Sequence, residues 1–222
     1  MEDPTKLLIL YEDNHLIAIH KPAGLLSQGD LSGDLDVLTV VKQMIKDRDN
    51  KPGNVFLGLV HRLDRPAGGT MLLAKTSKAA SRLSAQFRAR ETRKIYRAVV
   101  HGKPRHETAN LEHLLQKDKA SLVTKVVSSN GKQAHLAYKV LDSRAGQSLL
   151  EIDLKTGFSH QIRAQLSHVG HPILGDRKYK SRQYLKNGPG IIALYSRSIE
   201  FTHPVKKSRL LIETTDPDWW PW

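Results

Sequence analysis

The 222-residue chain contains no cysteine. This absence excludes disulfide bonds and thiolate-bound zinc, and with them the zinc deaminases that modify nucleobases. The sequence also lacks an apolar run of about 18 residues, the length that a membrane-spanning helix needs. The N-terminal residues 1–5 do not show the charged and then apolar order of a signal peptide. We therefore expect a cytoplasmic protein without a membrane partner.

Acidic residues are scarce relative to basic ones. The chain has 22 Asp and Glu against 35 Lys and Arg, a formal net charge of +13. Such an excess favours a polyanionic partner such as RNA, although the charge alone would also suit a membrane-surface protein. Hydrophobic residues make up 39% of the chain, which is enough to bury the core of one sizeable domain or two small ones.

The first half of the chain reads as strands with two helices between them. Val37, Val41 and Ile45 follow helical spacing after Asp36, which predicts a helix with Asp36 as its N-cap. A second apolar stripe, over residues 79–87, predicts a helix capped by Thr76 or Ser77. Alternating or continuous apolar runs bounded by turn residues predict strands at 7–11, 16–20, 56–60 and 70–75.

Strand patterns dominate the second half. Apolar residues alternate over 134–140 and again over 150–154, which predicts a hairpin. Ser159 is a candidate cap for a short helix ended by Gly170, with Arg163 at the edge of its buried stripe. Further strands are predicted at 191–193, 198–202 and 209–214. These elements indicate an α+β fold with a largely antiparallel sheet.

A single carboxylate stands out in the stretch from Gly58 to Gly69. Asp64 lies among cationic groups, between a strand-like run and small residues, and strands are predicted on both sides of its loop. A carboxylate held rigidly in this way suggests a nucleophile. The residues alone equally allow a surface loop in which Asp64 pairs with Arg62 or Arg65.

Three blocks in order resemble one known family. His61 to Asp64 (HRLD) is similar to the catalytic motif of the RluA-type pseudouridine synthases. Residues 93–96 (RKIY) resemble the family's basic-x-Tyr element, and 156–163 (TGFSHQIR) with 170–176 (GHPILGD) resemble its TGRTHQIR and GHPILGD block. Residues 14–24 and 201–204 extend the likeness over nearly the whole chain. Phe158 departs from the family pattern, which often has an arginine there.

The resemblance implies a fold and an activity. The fold is a long mixed, mostly antiparallel sheet with a central cleft, flanked by helices and loops. The activity is the isomerisation of uridine to pseudouridine in rRNA or tRNA, with neither cofactor nor metal. We expect residues 1–222 to form one monomeric catalytic domain, and no S4-type domain to precede it, because residues 7–21 already match its first strands. The tail 216–222 lies outside the resemblance, and capping, partner binding and disorder all stay open for it.

The resemblance also implies site residues. Asp64 would be the catalytic carboxylate, and Arg163 its cationic partner. Tyr96 would pack on the target base and assist at C5, and Arg62 would enter the RNA stack as the base leaves. His61, within the motif, and the apolar Leu194 would support the site.

Other functions remain as alternatives. A non-catalytic RNA-binding protein would share the basic charge, and the basic run from Arg82 to Arg97 is expected to line an RNA approach. A nuclease would normally show clustered carboxylates for Mg²⁺ or a phosphate-binding glycine loop, and neither is apparent. His160, His168 and His171 lie close in sequence, but their spacing matches no common metal motif.

Overall fold

A computed structural model describes residues 7–185 and 190–222 of the chain. The prediction that the N-terminus is not a signal peptide concerns residues 1–5, which lie outside the described part of the chain. The described residues form two compact units, which we treat separately. Unit 1 contains the residues up to Thr92 together with Ser196–Thr215, and unit 2 contains Arg93–Tyr195 together with Asp216–Trp222.

The sheet of unit 1 is built on two strands that are buried along their whole length. These are β2, Leu16–Lys21, and β4, Gly68–Ala74, which pair antiparallel. Continuous apolar runs such as these are typical of strands covered on both faces. The other strands of this unit are β1 (Leu8–Glu12), β3 (Gly58–Leu59), β11 (Arg209–Glu213) and most of β10. Strand β10 spans Leu194–Thr202, and its residues from Ser196 onward belong to unit 1. The order is β1-β2-β4-β10, with β3 also on β4 and β11 on β10.

Two helices of unit 1 begin at the predicted caps. Helix α1, Val37–Arg48, starts after Asp36, whose carboxylate accepts a hydrogen bond from the backbone N–H of Thr39. Helix α2, Ser77–Ala89, starts after Thr76, whose hydroxyl accepts from Ala79 N–H. Helix α2 places its buried Ala79 and Leu83 in a core cluster that also includes Leu16, Ala18, Leu72, Ala74, Ile199, Phe201 and Ile212.

Glu12, at the end of β1, forms an ion-pair bridge that should make the stability of unit 1 pH-dependent. Its carboxylate lies 2.7 Å from Arg48 Nη1 and 2.6 Å from Lys75 Nζ. Hydrogen bonds from Arg48 and Lys75 lower the pKa of Glu12 from 4.5 to about 2, against the opposing effect of burial. A depressed pKa stabilises the fold above the unfolded value, and this stabilisation is lost as pH falls from 4.5 toward 2.

We expect Glu12→Gln to lower the free energy of unfolding by about 1 kcal/mol at pH 7, a modest value because Arg48 is exposed to solvent. Urea unfolding followed by circular dichroism at pH 7, 4 and 2.5 measures this. The difference from the wild type should shrink toward pH 2.5. A difference that stays constant across this range would contradict the ion-pair origin.

Unit 2 contains a five-stranded antiparallel arrangement, β5-β9-β8-β6-β7. Its strands are β5 (Arg93–His101), β6 (Thr108–Lys117), β7 (Thr124–Val127), β8 (Lys132–Arg144) and β9 (Gln147–Leu154). The predicted hairpin is confirmed by β8 and β9, which are joined at Ala145 and Gly146, both with positive φ. Strands β6 and β7 were not predicted, because β6 buries little more than Leu111 and Leu115.

The third helix, α3, spans Gln161–His168 and begins without the predicted cap. His160 occupies the cap position with φ 56° and makes no side-chain capping bond, so the Ser159 prediction is wrong. The side chain of Gln161 instead binds the turn that precedes the helix, because its Oε1 accepts from Phe158 N–H at 3.2 Å and from the Thr156 hydroxyl at 2.8 Å. A short 3-10 helix, Arg177–Tyr179, follows.

The last predicted strands differ in their bounds. Residues 191–193 do not form a strand, whereas β10 starts at Leu194, four residues before the predicted start at Ser198. Ala193 instead makes two isolated backbone bonds, to Leu174 O and from Val99 N–H. Within the described residues, none of the helices has the length and apolarity needed to cross a membrane.

Candidate active site

The predicted catalytic loop lies in unit 1, and sheet holds it at both ends. Asp64 belongs to the connection between β3 and β4, and these two strands pair antiparallel with Leu59 opposite Leu73. Asp64 is partly buried, whereas Arg62 beside it is exposed. The structure therefore agrees with the prediction that strands hold the Asp64 loop at both ends.

The glycine that follows the loop is required by close packing. Gly69 has φ 108°, and a Cβ there would collide with the backbone of Ser196 in β10. A side chain at this position would push the two strands apart, since the obstacle is backbone. The small residues after Asp64 thus have a structural purpose in the sheet.

His61 anchors the start of the loop. Its Nε2 accepts a hydrogen bond from Leu72 N–H in β4 at 2.9 Å, so this nitrogen carries no proton. The imidazole also stacks on Phe87 of α2, with ring centroids 4.9 Å apart and planes 15° apart. These contacts fix the position of the His61 ring at the start of the loop.

The contacts of Arg65 argue against a surface ion pair between Arg65 and Asp64. The Nη1 of Arg65 forms an ion pair with Asp34 at 2.7 Å, and its Nε donates to Gly24 O at 3.0 Å. Arg65 is thus committed to other partners.

Lys21 is a buried cation beside the loop that sequence analysis missed. Its side chain has no exposed surface, and Nζ donates to Leu25 O, Pro22 O and Arg65 O at 2.7, 2.9 and 3.3 Å. Burial lowers the pKa of Lys21 to about 7, although the negative charge of Asp64 opposes this shift. The sequence feature that could have indicated a buried Lys21 is its position at the end of an apolar strand, directly before a proline.

Unit 2 carries Tyr96, Arg163 and Leu194. Tyr96 lies on β5 with 8% of its surface exposed, opposite Ile152 of β9. Leu194 is buried at the first position of β10. Tyr96 shares its strand face with Lys94 and Ala98, both also buried.

Arg163 lies inside the core of unit 2, not at its edge as predicted. Its Nε and Nη2 donate to the two carboxylate oxygens of Asp176 at 2.7 and 2.9 Å. The side chains of Arg163 and Asp176 are 5% and 1% exposed, and the guanidinium also lies 4.9 Å from the ring centroid of Tyr179. Asp176 is the last residue of the GHPILGD block, yet sequence analysis gave it no role.

The three histidines considered for a metal site have separate partners. His160 Nδ1 lies 2.9 Å from the Tyr179 hydroxyl, and His171 Nδ1 lies 3.0 Å from His101 O. His168 packs edge-on against His113. Among the residues that the structure describes, no group of three or more His, Cys, Asp or Glu could hold a metal ion.

The basic run from Arg82 to Arg97 is only partly an exposed surface. Arg82 Nη1 donates to Pro204 O at 2.7 Å, Arg97 pairs with Asp216 at 2.9 Å, and Lys94 is 7% exposed. The arginines of this run with exposed side chains are Arg88, Arg90 and Arg93. That this run lines an RNA approach stays a prediction, and within the run Arg88, Arg90 and Arg93 are the arginines exposed enough to do so.

The C-terminal tail packs on unit 2. The Asp216 carboxylate accepts hydrogen bonds from the Tyr195 hydroxyl and from Arg97. Trp220 packs edge-on to Tyr195 at a centroid distance of 4.6 Å, and the Arg144 guanidinium lies 4.3 Å from the Trp222 ring centroid. Of the three possibilities that the sequence left open, the structure favours capping.

Comparisons with known proteins identify the fold and the family. The α+β fold is that of the human RNA pseudouridylate synthase domain containing 4, with a TM-score of 0.79 and 26% identity over 96% of this chain and 90% of that chain. A model of the RNA pseudouridylate synthase family matches residues 15–168. The chain therefore belongs to the RNA pseudouridylate synthase family, which confirms the resemblance predicted from the motifs.

Bacterial relatives agree with this membership. The chain is 34% identical to ribosomal large subunit pseudouridine synthase C of Buchnera aphidicola, over 92% of this chain and 66% of the relative. It is also 34% identical to ribosomal large subunit pseudouridine synthase D of Pseudomonas aeruginosa, over 98% of this chain and 70% of the relative. The chain thus spans about two thirds of the length of these curated relatives.

Proposed function

We propose that this chain is the catalytic domain of an RNA pseudouridine synthase, which isomerises specific uridines in rRNA or tRNA without a cofactor. The observation that carries the proposal is the HRLD loop, which holds Asp64 between two paired strands within the family match. The net charge of +13 suits an RNA substrate. A cytoplasmic location, a monomeric state and a single domain over residues 1–222 stay predictions.

The reaction needs a nucleophile but no redox partner. The N1–C1′ bond of uridine breaks, the uracil turns, and a C5–C1′ bond forms. The proton on C5 is then released, and N1 gains one, so that substrate and product have the same composition. We assign the first step to Asp64, whose carboxylate attacks C1′ or C6 or removes a ribose proton in a glycal route.

The remaining residues take the roles that the resemblance implies. Arg163 is the cationic partner of the catalytic carboxylate, and the two hydrogen bonds that it donates to Asp176 fix its guanidinium in one orientation. The exposure of Arg62 supports its role as the side chain that replaces a flipped base in the RNA stack. His61 and Leu194 support the site.

Tyr96 is expected to hold the base and assist proton removal at C5. Tyr96→Phe should bind RNA normally but turn over about 100-fold more slowly, because proton transfer loses its phenol. Tyr96→Ala should lose base stacking as well, and with it RNA affinity. Single-turnover rates and filter-binding constants measure the two effects. Near wild-type rates in both variants would instead make Tyr96 a residue that merely fills the core.

Tritium release tests the proposed function directly, since mass cannot distinguish the product from the substrate. The protein is incubated with rRNA transcripts and tRNA carrying [5-³H]uridine, with and without EDTA, and the modified positions are then mapped. We expect tritium release that EDTA does not affect. RNA binding without release would favour a non-catalytic RNA-binding protein, and EDTA-sensitive cleavage would favour a nuclease.

A further inference from the structure

One short segment fixes the backbone on both sides of Asp64. On the N-terminal side, the Ser27 hydroxyl donates to Leu63 O at 2.7 Å and accepts from Leu63 N–H at 3.1 Å. Ser27 is 6% exposed, so both bonds are shielded from water. One side chain thereby satisfies both backbone groups of the residue that precedes Asp64.

On the C-terminal side, the carbonyl of Arg65 receives two donors from the same segment. Gly24 N–H donates to it at 2.7 Å, and Lys21 Nζ at 3.3 Å. Lys21 also donates to Leu25 O at 2.7 Å. Its ammonium therefore makes hydrogen bonds both within its own segment and to the loop. We call residues 21–27 the clamp.

The clamp and the loop fit closely at the start of β4. A Cβ on Gly68 would lie 3.1 Å from Lys21 O and 3.3 Å from Ala23 N, tighter than most contacts of real side chains. Both obstacles are backbone atoms, so neither can move aside as the end of a side chain would. The absence of a side chain at Gly68 therefore permits the approach.

Burial of an ammonium is unfavourable unless hydrogen bonds compensate it. A simple turn at Pro22 would not require Lys21, because a neutral residue could cover the same apolar surface at lower cost. In this protein the ammonium contacts carbonyls of two segments and lies within the electrostatic influence of Asp64. The burial of Lys21 is explained if holding the loop in position outweighs the energetic cost of burying the ammonium.

We propose that Ser27 is a positioning residue that holds Asp64 in its reactive place by fixing the backbone of Leu63. The inference rests on the proposed function, because it takes Asp64 as the reacting group. The Ser27 side chain does not need to contact the RNA. Displacement of a reacting group by about 1 Å can slow a reaction about 100-fold, so the clamp should affect the rate more than binding.

The first test uses Ser27→Ala, Ser27→Thr and the matched control Ser148→Ala. Ser148 is also a buried serine with a hydroxyl bonded to a backbone carbonyl, that of Gly102 in unit 2. We expect Ser27→Ala to lower the single-turnover rate of tritium release at saturating RNA by about 10- to 100-fold, with RNA affinity unchanged. Ser27→Thr, which keeps the hydroxyl, should recover much of the rate, and Ser148→Ala should retain it.

Hydrogen exchange separates this inference from the proposed function. The amides of residues 63, 64, 65 and 67 should exchange at least about 10-fold faster in Ser27→Ala than in the wild type, and at the wild-type rate in Ser148→Ala. Unchanged exchange, or equal rate losses in Ser27→Ala and Ser148→Ala, would overturn the clamp. A wild-type protein that releases no tritium from any RNA would overturn the proposed function, while the exchange measurement would still decide whether the clamp holds the loop.

Discussion

Asp64→Asn is expected to lower the rate of tritium release by about 10⁴-fold or more, the scale seen when a nucleophile is removed. The amide has nearly the same shape as the carboxylate but does not carry the negative charge of a nucleophile or base. Because Asp64 is only partly buried on a loop held by β3 and β4, the fold and most of the RNA affinity should survive. Single-turnover assays, circular dichroism and filter binding measure these three quantities.

Asp47→Asn provides the matched control for this substitution. Asp47 is an exposed carboxylate on α1 whose side chain accepts a hydrogen bond from Gln43. This variant should keep the wild-type rate, so a loss at position 64 alone would identify the carboxylate that reacts. An Asp64→Asn enzyme that retains full activity would remove Asp64 from the mechanism.

The location of the loop that carries Asp64 could be predicted because its signals are local. Strands on either side of Asp64, the cap at Asp36 and the cap at Thr76 each depend on residues within a few positions of one another. Each capping hydrogen bond spans three residues, and each strand is signalled by an apolar run of its own. The structure confirms all of them.

The clamp could not be predicted, because its contacts join distant parts of the chain. Ser27 and Leu63 are 36 residues apart, and Lys21 and Arg65 are 44 apart. No periodic pattern connects a serine after one strand with a carbonyl before another. A serine and a lysine in a turn normally indicate solvent exposure, and only the fold shows that both are buried.

Helix α3 shows a different limit of pattern analysis. A stripe of apolar residues locates the buried face of an amphipathic helix, and it placed Arg163 at the margin. In the structure, six consecutive residues from Gln161 to Leu166 are buried, including the polar Gln161, Arg163 and Gln165. Specific partners compensate much of the cost of burying these polar groups, as Leu111 O does for Gln165 Nε2 at 3.1 Å.

Asp176→Asn is expected to lower the free energy of unfolding of unit 2 by about 3–5 kcal/mol, because it leaves the Arg163 guanidinium without its carboxylate in a buried site. The two bonds of 2.7 and 2.9 Å would be replaced by one acceptor oxygen and an amide N–H₂ that opposes the guanidinium. Tryptophan fluorescence during urea unfolding is the suitable measurement. All three tryptophans lie in the tail that packs on unit 2, so their emission reports on this unit.

The control for this prediction is an ion pair of the same type at the surface. Arg209 Nη2 lies 3.1 Å from Glu200 Oε1, with side chains 50% and 32% exposed. Glu200→Gln should cost less than about 1 kcal/mol, since water screens the pair and replaces the lost bond. Circular dichroism follows this variant, because the pair lies in unit 1. Equal losses at positions 176 and 200 would show that burial does not raise the cost of breaking the pair, and Asp176 would then lose its assigned role of fixing Arg163.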